Sequence, residues 1–392
     1  VARERGIKLA LLPGESHDED PRLIEGSTLP RDELEALLGY FRQGGPANMA
    51  ALVQRLAGLA GMDAAVSEPV VVPKAGYYEP GRGVVRVPLG SAAAVIPILF
   101  YRSMLLAADV APVDALVQAL RSQGMAPVPI FVSSLKDPTS LAFVEDAIAA
   151  LNPAAIVTAT AFASSADPGA RTLFDRAGVP VFQVIVATTR RDIWEANQRG
   201  LAPADLAMHV VLPELDGRIL AGAVSFKGEA EADPALGFRA FANRPEADRV
   251  AQVANRIAAF LRLKATPRAE RKLAILIPDY PSAPGRTGYA VGLDVPSSVL
   301  AMLHDLSERG YGVEGIPQSP RALLDALETG GHGLAHKDYA ALSAELPDTA
   351  RRAVEAAWGR IALHEAPPSG LPAISPAGRE ITPPSRLSPI TS

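Results

Sequence analysis

None of the 392 residues is a cysteine. That removes disulfides, thiolate zinc sites and a cysteine nucleophile together, and it fits a reducing compartment, with the cytoplasm as the expected location. Basic runs of the kind that follow a phosphate backbone are also missing. With 38 basic residues against 43 acidic ones the net charge is −5, so nucleic acid is not an expected partner. The longest apolar run near the centre, "SAAAVIPILFY" at 91–101, holds Pro97 and stops at Arg102. It falls well short of the roughly 20 residues a membrane span needs and reads as a buried strand, so no membrane is expected. The N-terminus lacks the charged, apolar and small-residue order of a signal peptide. Neither Gly-Lys-Ser nor Gly-Lys-Thr occurs, which argues against a nucleotide P-loop, and no G-x-S-x-G elbow localises a serine nucleophile.

What is present is an ordinary globular composition, 48% hydrophobic and 21% charged, in a length that suits two or three domains of about 100 to 200 residues. The chain starts at Val1, without an initiator Met, directly before "GIKLALLPG", and reads as a piece of something longer. Leucines at helical spacing in "DELEALLGYFRQGGPANMAALVQRLAGLAGM", broken by Gly44, Gly45 and Pro46, predict a helical hairpin. Residues 1–67 are therefore expected to be the helical remnant of a truncated N-terminal domain, and the Pro- and Gly-rich 68–90 a loop-like connector.

Beyond the connector the pattern changes. Across 91–232, short apolar runs alternate with helical stretches, the signature of β-α-β units feeding a parallel sheet. Strands are expected at 95–101, 126–134, 154–162 and 179–186, with helices in "PVDALVQALRSQG" and "TSLAFVEDAIAALN". After "TTRRDIWEANQRG", the segment "MHVVLP" reads as a strand, "ELDG" as a turn and "RILAGAVSF" as the next strand. Residues 233–270 are expected to form a linking helix and 271–358 a second α/β unit, with strands at 272–278 and 311–316 around a helix at 296–309. The tail, 359–392, has seven prolines between 367 and 389 and no apolar period, a composition that reads as disorder. The predicted fold class is α/β, with parallel-sheet β-α-β units in two lobes.

Ligands of such sheets sit at the carboxyl ends of the strands. The loops there carry Tyr101, Arg102 and Ser103; Ser133, Ser134, Leu135 and Lys136; Thr160 and Phe162; and Thr188, Thr189 and Arg190. Hydroxyls and cations along one edge suit a ligand with carboxylates or amides, although any one of these residues could equally be a helix cap. The loop 281–294 has the glycines of an anion nest but not the P-loop lysine. His332 and His336 have metal-ligand spacing in a glycine-rich context that favours a loop. In "HVVLPELDGRI", Asp216 and Gly217 suit a hairpin turn. Glu214, whose approach is fixed by Pro213, is harder to explain that way and could act as a base or a transient metal ligand.

Several long stretches, "VIPILFYRSMLLAADVAPVDALVQALRSQGMAPVPIFVSSLKD", "AAIVTATAFA", "GLAPADLAMHVVLPELDGRI" and "DYPSAPGRTGYAVGLDVPSSVLAML", resemble, in this order, the CobN-type large subunit of aerobic cobaltochelatase. They are similar, more distantly, to the large H-type component of magnesium chelatase. The resemblance implies ATP-dependent insertion of Co2+, as substrate metal, into hydrogenobyrinic acid a,c-diamide during aerobic cobalamin synthesis. It also implies AAA+ partners of the CobS and CobT type that use ATP and Mg2+ in place of this chain. The macrocycle must lose its inner N–H proton as the metal enters, so a carboxylate is sought. Glu214 is the first choice as proton acceptor or metal ligand, Asp216 the second and His209 the third. Tyr101, Arg102, Ser133, Ser134, Lys136, Thr160, Arg286 and Tyr289 are expected to bind the substrate. Family members are far longer, so this piece is expected to be inactive alone; the alternatives are a module that binds a tetrapyrrole or another small molecule without transforming it, and a subunit like the large H-type component of magnesium chelatase.

Overall fold

The computed structural model describes residues 1–14, 20–88, 93–164, 171–198, 200–229, 237, 239–277, 288, 290, 292–329 and 336–358. They belong to two compact units, the first of residues 1–262 and the second beginning at Leu263.

The first unit is built on one eight-stranded sheet: β1 (Ala75–Glu79), β2 (Gly83–Val85), β3 (Val95–Tyr101), β4 (Ala126–Val132), β5 (Ile156–Thr158), β6 (Val181–Arg190), β7 (Ile219–Glu229) and β8 (Phe241–Pro245). Their spatial order is β2-β1-β4-β3-β5-β6-β7-β8. The five strands from β4 to β7 are mutually parallel, while β1 and β2 at one edge and β8 at the other run antiparallel to their neighbours. The chain first steps from β3 to β4 and then returns past β3 to β5. The point of reversal therefore lies between β3 and β5, where the connecting loops part and leave a crevice.

Successive residues of a strand point to opposite faces, and both faces of this sheet are covered. Ile96, Ile98, Phe100 and Phe131 join one core with Val113, Leu116, Val117 and Leu120 of the helix Ala111–Ser122 and with Val250, Val253 and Ile257 of the helix Ala247–Ala265. Leu99, Ile130, Val132 and Ile156 form the other with Val144, Ala147 and Ile148 of the helix Pro138–Leu151. That helix starts where the sequence says it should: Asp137 accepts the Ser140 N–H at 2.9 Å, Pro138 takes the first turn, and Asn152 closes it in the left-handed region. The N-terminal hairpin forms as expected from Arg31–Gln43 and Gly45–Leu59, with Gly44 and Gly45 both at positive φ in the turn and Arg55 donating to Glu33 between the helices.

Three expectations give way. The connector 68–90 is not all loop, because "AGYYE" and "GVV" form the β1–β2 hairpin, which extends the sheet through β4. Both strands are too short to show a period. A side chain at Gly76 would meet the Phe131 ring at 2.8 Å, so glycine is what lets β1 lie on β4. The segment "MHVVLP" is not a strand. Residues 203–214 form one continuous helical stretch with a π turn at Ala207–Val211. Its buried residues, Asp205, His209 and Pro213, are spaced four apart, so the helical period runs through an acid, a histidine and a proline rather than through aliphatic side chains.

In the second unit, helices Val295–Glu308, Pro320–Thr329, His336–Ala344 and Asp348–Trp358 are present, the first capped by Asp294. No strand occurs at 271–277 or 311–316. The predicted tail lies outside the described residues.

Candidate functional site

A small cleft of about 80 Å³ opens at the carboxyl ends of β3 and β5, at the reversal point of the sheet. It is lined by Tyr101 from the end of β3, by 134–136 after β4, by 160–164 after β5, and by Arg218. That size is well below the roughly 300–1,000 Å³ of a complete small-molecule pocket, so the cleft admits only part of a large ligand.

Its wall after β5 has no strand partner, yet it is held from several sides. Arg218, just before β7, is fully buried through its side chain and uses all five of its donors. Nη1 donates to Thr160 O and Gln183 Oε1, both at 2.9 Å, Nη2 to Phe162 O at 3.0 Å and to Asp216 Oδ2 at 2.6 Å, and Nε again to Asp216 Oδ2 at 3.1 Å. The guanidinium also lies over the Phe174 ring, 4.9 Å from its centroid. Burial pulls the Arg218 pKa down, and the Asp216 carboxylate counters it. Asp216 accepts the Ser164 N–H at 2.8 Å as well. Asp216 and Arg218 together therefore fasten both ends of the 160–164 segment.

The Tyr101 hydroxyl donates to Ala161 O at 3.1 Å, and burial raises its pKa. Thr160 is buried, its hydroxyl bonded to that of Thr158. On the opposite lip the Ser134 hydroxyl accepts the Lys136 N–H at 3.1 Å, and the Lys136 ammonium is exposed, with no ion pair among the described residues.

A match to the CobN/Magnesium Chelatase family extends over residues 38–369, which takes in every element that builds the cleft. The chain belongs to that family. It is 36% identical over 378 residues to the aerobic cobaltochelatase CobN protein of Pseudomonas aeruginosa, covering 91% of this chain and 30% of that protein. It is 29% identical over 321 residues to the H-type component of the magnesium chelatase of Rhodobacter capsulatus, 74% of this chain and 26% of that one. The solved catalytic subunit of cobaltochelatase from Mycobacterium tuberculosis superposes with a TM-score of 0.70 at 28% identity, over 94% of this chain and 31% of that one. The chain thus spans about 30% of the length of the curated CobN relatives it matches.

Within this family member the expected site residues divide. Tyr101, Ser134, Lys136 and Thr160 come together in the cleft. Ser133 and Arg102 do not line it. The Ser133 hydroxyl donates to Lys74 O, and the Arg102 guanidinium holds the Pro73 and Val72 carbonyls at 2.9 Å, so both tie the segment before β1 to the sheet. Glu214 ends its helical turn exposed to solvent and outside the lining. His209 is buried, its Nδ1 without a partner among the described residues, and burial lowers its pKa against the opposing pull of Asp205. Arg286, Tyr289, His332 and the His336 side chain lie outside the described residues. Among those residues no group of three or more His, Cys, Asp or Glu stands together as a metal site, and no helix is long and apolar enough to cross a membrane.

Two participants are not evident in the sequence. Arg218 adjoins "ELDG" and reads there as the first residue of a strand. Asp205 is buried under the ends of β6, where it accepts the N–H and hydroxyl groups of both Thr188 and Thr189. Burial pushes its pKa up, and these bonds more than reverse that and hold it below the usual carboxylate value. Its spacing of four from His209 is the signal that could have found it.

Proposed function

We propose that this chain supplies part of the macrocycle-binding surface of a CobN-type cobaltochelatase, in which Co2+ is inserted into hydrogenobyrinic acid a,c-diamide by an assembly driven by separate AAA+ ATPases of the CobS and CobT type. The observation that carries this reading is the placement of the cleft. It lies at the sheet's reversal point, inside the matched region, and its lips bear Tyr101, Thr160, Ser134 and the exposed Lys136. A cleft of about 80 Å³ takes a peripheral group of a macrocycle rather than its body, and an ammonium at its mouth suits that ligand's carboxylates.

Insertion displaces the inner N–H proton of the macrocycle, and an acceptor must reach water to pass it on. Of the three candidates, Glu214 is exposed, whereas Asp216 is committed to Arg218 and Ser164, and His209 is buried. Glu214 is accordingly the proposed proton acceptor and transient Co2+ ligand, and the other two position their surroundings. Cobalt is preferred over magnesium because identity to the cobaltochelatase relative is 36%, against 29% for the magnesium-chelatase relative. The reassembled enzyme tests the assignment. Glu214→Gln is expected to slow Co2+ insertion by about a hundredfold, within the range of positioned acid-base groups, while leaving macrocycle affinity unchanged. An unaltered insertion rate would exclude Glu214. The chain without ATPases is expected to bind the macrocycle and to insert no metal; insertion that needs no ATPase would contradict the division of labour.

A further inference from the structure

Phe162, in the cleft wall, combines properties that packing alone does not explain. Its φ is +63°, the left-handed region that bulky L residues avoid. It lines the cleft, is 44% exposed, and stacks on no other ring among the described residues. Its flanking peptide groups are both anchored outside the loop: the N–H donates to Met208 O at 2.8 Å, and the C=O accepts from Arg218 Nη2 at 3.0 Å.

The first anchor is itself specially made. In the π turn the Leu212 N–H bonds five residues back, to Ala207 O. The next donor in that register would serve Met208 O, but residue 213 is proline and has no N–H. The Met208 carbonyl is thereby left for Phe162. A proline-freed carbonyl and a buried arginine thus hold one strained residue in place. Strain that the surroundings maintain so deliberately points to use rather than to packing.

We propose that Phe162 is a preset aromatic platform on which the conjugated core of the macrocycle rests while one of its peripheral groups enters the cleft. This rests on the tetrapyrrole reading above. Ring faces attract conjugated faces by offset stacking, and a backbone fixed beforehand spares the ligand the ordering of the loop.

The test uses the full 392-residue chain and its Phe162→Trp, Phe162→Leu and Phe162→Gly variants, titrated with hydrogenobyrinic acid a,c-diamide and followed by visible absorbance and induced circular dichroism. Phe162→Trp is expected to bind like the parent, with its indole emission quenched on binding. Phe162→Leu and Phe162→Gly are expected to bind about tenfold more weakly or worse and to lose the induced dichroism. Leu binding within about twofold of the parent overturns the platform while leaving the tetrapyrrole reading intact. A parent chain that shows no binding overturns both. A melting temperature of Phe162→Gly within about 3 °C of the parent is expected, because relief of the left-handed backbone offsets the lost contacts. A larger fall makes the ring a packing element and overturns the proposal.

Discussion

At the scale of single residues, Asp216 shows how position changes the meaning of an acid. Its side chain is only 2% exposed, opposite one that is fully buried, and it neutralises a guanidinium whose five donors are all engaged. Removing one partner of such a pair leaves a buried charge uncompensated. Asp216→Ala is expected to lower unfolding stability by about 3–5 kcal/mol, measured by urea denaturation. A loss below about 1 kcal/mol would mean that Arg218 finds another counter-charge. His209 makes a different prediction. Its pKa is depressed in the folded state, mainly by burial, so the unfolded chain takes up the proton first. The stability that His209 contributes is complete above the ordinary histidine pKa of about 6.5 and is lost as pH falls through the lower folded-state value. The melting temperature of the parent is expected to fall between pH 7 and pH 5 more steeply than that of His209→Gln. Parallel profiles would remove His209 from the account.

Elements show what a linear pattern conveys and what it hides. The helices at 111–122 and 138–151 and the neighbouring strands β3 and β4 were legible because their signals are local: an apolar stripe, Asp137 before Pro138, and short continuous apolar runs on a sheet buried on both faces. The stretch 203–217 was not legible in that way. Val210 and Val211 favour a strand by shape, yet the stretch coils because Asp205, His209 and Pro213 present one face to the protein, a period that apolar counting overlooks. Of the cleft, Tyr101, Ser134, Lys136 and Thr160 could be named in advance, since ends of parallel strands follow from the strands themselves. Arg218 could not, because its role depends on a loop that returns from 58 residues earlier in the chain. The element also yields a test. Pro213→Ala restores an N–H that competes for Met208 O. It is expected to weaken macrocycle binding about fivefold, the worth of one neutral hydrogen bond, with the unfolding midpoint nearly unchanged. Unchanged affinity would show that the Met208 anchor is dispensable.

For the molecule as a whole, the arrangement of strands explains why so little of the chain's polar surface meets at the cleft. The antiparallel edges β1–β2 and β8 flank a parallel centre, and the cleft lies at the reversal between β3 and β5. The net charge of −5 does not draw an acidic ligand from a distance, so recognition of the proposed macrocycle would fall to local groups such as Lys136. The wall of that opening has a temporal consequence. Ala159, Thr160, Phe162 and Ser164 each donate a backbone N–H, to Leu99 O, Thr158 Oγ1, Met208 O and Asp216 Oδ2 respectively. A segment that belongs to no ladder should therefore exchange its amide hydrogens at rates like those of the adjacent strands. A wall stitched at this density does not swing aside on the timescale of ligand encounter. The macrocycle would then meet a surface already shaped for it, and in stopped-flow mixing the observed rate would climb in proportion to ligand concentration, whereas a plateau would reveal a gate.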